Sequence, residues 1–423
     1  MDPEQPTALP AGSVRFRWEN AHVFGIRNGM GQTRWISGAL AVLLVGWLFA
    51  STLHRAGPTE TRSVARSDLP AYLAAAAVIQ DGEDPFGVVS ERGWPYVYPP
   101  TLAALLVPLV ALPQRVSAAI WFMLSFTIMV CGMLAFRRAL GRRGAFRWVD
   151  DGWPLALVFF PIASCLERGQ VGALLLGLVG LGFRFFSQKR NTLCALSVGL
   201  AVAIKTTPAL LFLVIAGARR GRAFAACVVA LVAWLVLAPA PYLGFAGSAK
   251  AAYHHTDRMV LRYLHDPGAP NLTENSSFDV HINTNQSLTS QIVRRTSGTA
   301  RQALLLLSVL VILAPLFVVL VRGSSPPAET WSLALAATLL LSPVAWHHHH
   351  VLLWPALFVL TQRRREPLVT PILAAFCVLS VLHFAGKNTA LGDAGLLGMG
   401  TLLVYGTLLL GASGAKDPVG QSM

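Results

Sequence analysis

The chain has 423 residues, 54% of them hydrophobic and only 13% charged, with a mean hydropathy of +0.55. A soluble domain cannot cover that much apolar surface, so a polytopic membrane protein is expected. Its formal net charge of +14 is gathered in short basic runs between apolar stretches, which topology and anionic lipid explain, so no nucleic-acid partner is expected.

The polar N-terminal tail, residues 1–34, lacks the pattern of a cleaved signal peptide, so the first span, near 35–53, is expected to stay attached. An outer loop at 54–98 follows. Asp68 stands there at the start of a short amphipathic helix, followed by the acidic turn DGEDPF from Asp81 to Phe86. Trp94, Tyr96, Tyr98, Pro99 and Pro100 form its proline-stiffened aromatic exit. Further apolar segments lie near 99–113, 116–136, 152–166, 169–186, 191–204, 207–218 and 223–240. After a second long polar segment at 241–300 come 302–322, 329–345, 349–361, 367–384 and 395–412, and then a tail at 413–423. Several are too short to cross alone, since a hydrocarbon core of about 30 Å takes about 20 residues.

Basic loops at Arg137–Arg147, Arg184–Arg190, Arg219–Arg222, Arg322 and Arg363–Arg365 set the cytoplasmic side. With both tails also cytoplasmic, the parity closes only if one early segment fails to cross. The proline-bracketed 99–113 is the best choice. The expected fold is all-α, with about twelve transmembrane helices over residues 35–412. Residues 54–98, the Glu167–Gly172 turn, 241–300 and the run His347–His350 then share the outer face.

No GxxxxGK[ST] loop or GxGxxG unit occurs in the sequence, so neither ATP-driven transport nor a cytoplasmic nucleotide-sugar site is expected. Chemistry, if present, faces outward on a substrate delivered by lipid. Asp68 is a candidate base there, although Asp followed closely by proline also caps a helix. Lys205, between two half-length helices, needs an anionic partner or must snorkel to the headgroups. The stretch NTNQSLTSQIVRRT, from Asn283 to Thr296, offers amides such as Gln286 and the pair Arg294 and Arg295, which bind phosphate or halt the chain at the interface.

Glu167 has a substrate role or pairs with Arg168 across a tight turn. Tyr98 and its aromatic neighbours stack on sugar or join the interfacial belt. Asp81, Glu83 and Asp84 are explained by turn chemistry, so no metal site is expected there. The five cysteines, Cys131, Cys165, Cys194, Cys227 and Cys377, have no CxxC spacing and read as small buried side chains. Asn271, Asn275 and Asn285 match the glycosylation sequon, but the composition points to a high-GC bacterial source and to ordinary polar loop residues.

Taken in order, Asp68 with Tyr72, DGEDPF, YVYPP, ERGQVGALLLGL, AIKTTPALL, NQSL with its arginines, and SPVAWHHHH resemble glycosyltransferase family 87 over roughly residues 60–360. Gly172, where the family is expected to carry asparagine, and Thr207, where it often carries a proline nearer the lysine, depart from the pattern. The resemblance implies a GT-C fold with an outer-loop active site. It implies transfer of mannose from a polyprenyl-phosphate donor to a glycolipid or glycan acceptor, with inversion and without a cofactor, in a bacterial plasma membrane. It makes Asp68 the base and favours His347 and His348 within the histidine run as donors to the lipid phosphate or the acceptor. Residues on an α-helix point about 100° apart, so at most two of the four rings can converge, which argues against a tetrahedral metal cage. A polyprenyl-phosphate-arabinofuranose transferase, a secondary transporter and a non-enzymatic scaffold or flippase partner are the alternatives.

Overall fold

A computed structural model of the chain describes residues 26–57, 66–91, 93–142, 151–262, 284–323, 325–386 and 389–414. Most of both expected tails, the sequons at Asn271 and Asn275, and the middle of segment 241–300 lie outside the described residues. The helices in chain order begin with α1 (Ile26–Ala56), α2 (Leu69–Gln80), α3 (Pro100–Val110), α4 (Gln114–Ala139), α5 (Trp153–Leu157) and α6 (Phe159–Glu167). Next are α7 (Gly172–Ser187), α8 (Asn191–Ile204), α9 (Leu210–Gly217), α10 (Gly221–Leu237), α11 (Ala240–Thr256) and α12 (Leu288–Arg295). The last are α13 (Gly298–Arg322), α14 (Pro327–Leu341), α15 (Trp354–Gln362), α16 (Val369–Ala385), α17 (Ala390–Asp393) and α18 (Leu396–Gly414). The only β-type pairing among the described residues is one isolated bridge from Val89 to Pro95, so the all-α expectation holds.

The described residues up to Trp47 fall in one unit and those from Leu48 onward in the other, which carries the candidate site. Helix length separates true spans from partial ones. Gly38–Ala56 of α1, α4 and α13 are each long and apolar enough to cross alone. The pairs α6 with α7, and α10 with Ala240–Leu261, bend by 119° and 117°. Length and composition therefore give three spans among the described residues, or five if each bent pair is one span, where about twelve were expected. The difference lies in length: Leu69–Gln80, Pro100–Val110, Asn191–Ile204, Thr207–Gly217, Pro327–Leu341, Val369–Ala385 and Leu396–Ala412 are apolar but only 10–17 residues long. Helix α3, with 11 residues, reaches only about 16 Å.

The faces of these helices agree with lipid as solvent. Along α13, Leu306, Leu310, Val311, Phe317 and Val321 are all exposed, which in water would be an adhesive stripe and in hydrocarbon is ordinary. The opposite faces meet in an aromatic core, where Phe136 of α4 packs 4.6 Å from Phe183 of α7, and Phe183 lies 5.5 Å from Trp331 of α14.

Close approach of α4 to α7 depends on glycine. A Cβ at Gly177 would strike the Ile128 carbonyl and come within 2.7 Å of its Cγ2, and one at Gly132 would strike the Gly177 backbone. Small residues at such crossings let helices associate where hydrophobic burial offers no net gain. Gly177→Ala is accordingly expected to cost about 1–3 kcal/mol through overpacking, read as a lowered unfolding midpoint in detergent. Gly177→Leu is expected to prevent recovery of a monodisperse protein.

Candidate functional site

The site is organised around the turn joining α6 to α7. Gly169 there has φ +68°, and a Cβ on it would meet Ser67 Oγ at 3.1 Å and Leu69 Cβ at 3.2 Å, so both the backbone conformation and the space call for glycine. Turn carbonyls grip the start of the first outer helix: Arg168 O accepts from the Asp68 N–H at 2.8 Å and from Ser67 Oγ at 2.9 Å. Trp121 Nε1 donates to Gly169 O at 2.7 Å and closes the turn from the α4 side.

Asp68 is 6% exposed and makes no side-chain hydrogen bond to the N-terminus of α2. Capping is therefore not what its carboxylate does. Its Oδ2 instead accepts from Gln170 Nε2, and Gln170 Oε1 accepts from the hydroxyls of Tyr72 and Tyr98, each at 3.3 Å. The two phenols lie 3.2 Å apart. Burial is the main reason the pKa values of both tyrosines rise, so they stay protonated donors at neutral pH.

Lys205 continues the network. Helix α8 stops at Ile204, and Lys205 itself is extended, with φ −154° and ψ 127°, before the Thr206–Pro208 break. Its Nζ lies 5.2 Å from the centroid of the Tyr98 ring and 2.6 Å from His349 Nε2. His349 Nδ1 lies 3.2 Å from the Trp346 N–H, and the tautomer of the ring sets whether Nε2 accepts from Lys205 or donates to it. Burial is the main cause pulling the Lys205 pKa down to about 8, so at neutral pH the lysine remains mostly the ammonium.

These groups line one end of a 370 Å³ cavity, whose walls include Tyr98, Gln170, Lys205, His348 and His349 at the polar end and Leu210, Leu341, Met259 and Pro343 elsewhere. His348 is 1% exposed, and neither of its ring nitrogens has a hydrogen-bond partner. Two buried nitrogens of that kind are costly unless a ligand satisfies them. Among the described residues no three His, Cys, Asp or Glu side chains are arranged to hold a metal ion.

The histidine run departs from the α-helical spacing used to read it. His347–Leu353 is a 3-10 helix, with three residues per turn, so the first and fourth histidines share a face and the middle two point elsewhere. His347 accordingly meets Ser164 Oγ at 2.8 Å and packs on His383 and Phe384, outside the cavity. His350 Nδ1 contacts Trp346 O at 3.2 Å. The rings that reach the cavity are His348 and His349, which corrects the expected pair by one residue.

Other expected site residues have structural partners. Glu167 accepts from Ser51 Oγ at 2.9 Å and pairs with Arg55 at 3.2 Å, tying α1 to α6. Gln286 donates to Gly392 O at 2.9 Å, and its Oε1 accepts from Leu397 N at 3.4 Å. Arg294 donates to Asp393 O at 3.2 Å, and Arg295 to Gln291 O at 3.3 Å. None of these four lines the cavity of Lys205. In the acidic turn, Asp84 accepts from Phe86 N at 3.0 Å and meets His254 Nδ1 at 2.8 Å, which is turn chemistry plus one tether to α11.

Sequence reasoning passed over Gln170 and His349. Gln170 lies inside a quoted motif but carries no charge to draw notice, and His349 depends on a helix type that composition does not announce. Exchanging the histidines singly separates these roles. His348→Ala is expected to lower transfer by roughly 10–100-fold, the loss of one charge-assisted donor. His347→Ala is expected to leave the rate within about threefold of the parent and to lower the melting midpoint, since the ring it removes is packing. Initial rates and thermal scans of both variants decide between the two outcomes.

Comparison with known proteins gives three findings. The profile of the family described as glycosyltransferase family 87 matches residues 96–343. The chain is 26% identical over 379 residues to the polyprenol-phosphate-mannose-dependent alpha-(1-2)-phosphatidylinositol mannoside mannosyltransferase of Mycobacterium tuberculosis, covering 82% of this chain and 80% of that protein. It is 29% identical over 271 residues to the corresponding pentamannoside mannosyltransferase of Mycolicibacterium smegmatis, covering 62% and 60%. Among solved structures, ArnT from Cupriavidus metallidurans bound to undecaprenyl phosphate aligns over 90% of this chain and 77% of its own, with a TM-score of 0.38 and 15% identity.

Proposed function

The chain belongs to glycosyltransferase family 87, and from that premise we propose that it transfers mannose from a polyprenyl-phosphate donor to a phosphatidylinositol-mannoside-like glycolipid on the outer face of a bacterial plasma membrane. The donor and acceptor classes are those named in its mycobacterial relatives. The observation that carries the reading is the polar end of the cavity. Lys205 meets His349 there and lies over the Tyr98 ring, Tyr98 leads through Gln170 to the carboxylate of Asp68, and the buried ring of His348 stands beside them, while the apolar walls suit an isoprenoid.

The residues divide the work of such a transfer. Lys205, as its ammonium, and His348 hold the leaving phosphate, which is a good enough leaving group to need no strong general acid. Asp68 takes the proton of the acceptor hydroxyl as its oxygen attacks the anomeric carbon. The bond from that carbon to the phosphate oxygen breaks, the electron pair leaves with the phosphate, and the anomeric configuration inverts.

The deciding assay uses the full chain in lipid nanodiscs with polyprenyl-phosphate mannose and phosphatidylinositol mannosides, with product analysis by mass spectrometry. One hexose added to the acceptor is the expected result. Added pentose from a polyprenyl-phosphate-arabinofuranose donor, with none from the mannose donor, overturns the choice of sugar.

A further inference from the structure

We propose that Gln170 is the positioning residue for the base, holding the Asp68 carboxylate in one orientation by a hydrogen bond whose direction the carboxylate dictates and the two tyrosines accommodate. The inference rests on the reading of Asp68 as the base and adds a residue to which no role has been given. A glutamine amide is ambiguous by itself, because its two ends differ little in shape. Here the choice is forced. One end faces the hydroxyls of Tyr72 and Tyr98, each of which has a proton to give, and the other faces a carboxylate, which can only accept. Turning the amide over would set its oxygen against the Asp68 carboxylate, acceptor against acceptor, even though the hydroxyls could accept from its N–H group.

The backbone supports the same alignment. Gln170 N donates to Cys165 O at 2.9 Å, and Arg168 O, two residues earlier, accepts from the Asp68 N–H. The turn therefore grips Asp68 through both main chain and side chain. Gln170 is 4% exposed and lines the cavity, so no bulk solvent competes for the contact. An amide suits the position because it donates without titrating, and it leaves the carboxylate free to gain and lose the proton that the reaction moves. Tyr72, Tyr98, Cys165 and Lys205 also interact electrostatically with Asp68.

Three variants of the full chain in nanodiscs test the inference. Gln170→Glu puts a second carboxylate against Asp68, and the two must share one proton as pH falls. The acidic limb of the kcat–pH profile is then expected to move upward by about one unit or more, with activity recovering as pH rises. Gln170→Met and Gln170→Asn, which keep volume or chemistry but not reach, are expected to lower kcat by about 10²-fold, with the donor KM within about threefold. A fault in packing alone predicts neither the shifted limb nor that division between kcat and KM.

An unshifted profile in Gln170→Glu, or a kcat within about twofold of the parent in Gln170→Met and Gln170→Asn, overturns the proposal. If the glutamate variant does not fold, the kcat and KM of the other two decide. Asp68→Asn run in parallel separates the two levels. Full turnover there sinks the base assignment itself, whereas an inactive Asp68→Asn beside unaffected Gln170 variants sinks only the role of Gln170.

Discussion

Asp68→Asn is expected to lower turnover by about 10³-fold, the middle of the range that general-base catalysis supplies, while binding of the polyprenyl-phosphate donor stays within about threefold. The asparagine still fits the site, because its amide oxygen can accept from Gln170 as the carboxylate does. What it loses is the capacity to take a proton from the acceptor hydroxyl. Since the Asp68 side chain makes no cap bond to α2, this loss should come with little change in stability, whereas a merely structural aspartate would behave in the opposite way. Single-turnover transfer and donor titration on one preparation separate the outcomes. A turnover near that of the parent would remove Asp68 from the chemistry.

Lys205→Ala is expected to raise the donor KM by roughly 30–4000-fold, matching the 2–5 kcal/mol typical for truncating one partner of a buried charged contact. The pH dependence sharpens that test. Burial lowers the Lys205 pKa to about 8 in the empty site, below its usual value, and an anionic phosphate favours the charged form. Donor binding therefore draws on the protonated lysine, which is fully present below that pH and lost as pH rises through it. The donor KM is expected to be flat below about pH 8 and to rise by up to roughly tenfold per unit above it, since each proton lost removes one charge from the contact. Lys205→Arg keeps its charge throughout, so the rise is expected to vanish even if geometry costs some affinity. A KM that climbs in the arginine variant as in the parent would show that another group governs the limb.

How much of this site was legible beforehand differs from residue to residue. Asp68 and Lys205 stood out because a charge beside a membrane must have a reason, and both lie around Tyr98 and Gln170, Asp68 bonded to Gln170 and Lys205 over the Tyr98 ring. Tyr98 stood out as an aromatic at a loop exit, yet its part as donor to Gln170 and as the face beneath Lys205 follows from contacts across 72 and 107 positions of sequence. Glu167 and the arginines at 294 and 295 carry the same charge signal, and their partners include Arg55, Ser51, Asp393 O and Gln291, away from the cavity of Lys205. Charge marks that a partner exists without saying which one.

Composition and hydropathy by themselves determined the all-α membrane class, since apolar runs of that number leave the backbone no other way to satisfy its polar groups in lipid. The order of short motifs determined the family. Tertiary structure alone decided how sharply the helix pairs bend, that the histidine run winds as a 3-10 helix, and that its middle pair turns into the cavity. It alone joined Gln170 to Asp68. These depend on glycine-permitted turns and on helices meeting at contact distance, and such meetings are set by packing among residues far apart in the chain, to which a local pattern of apolar and polar residues is blind.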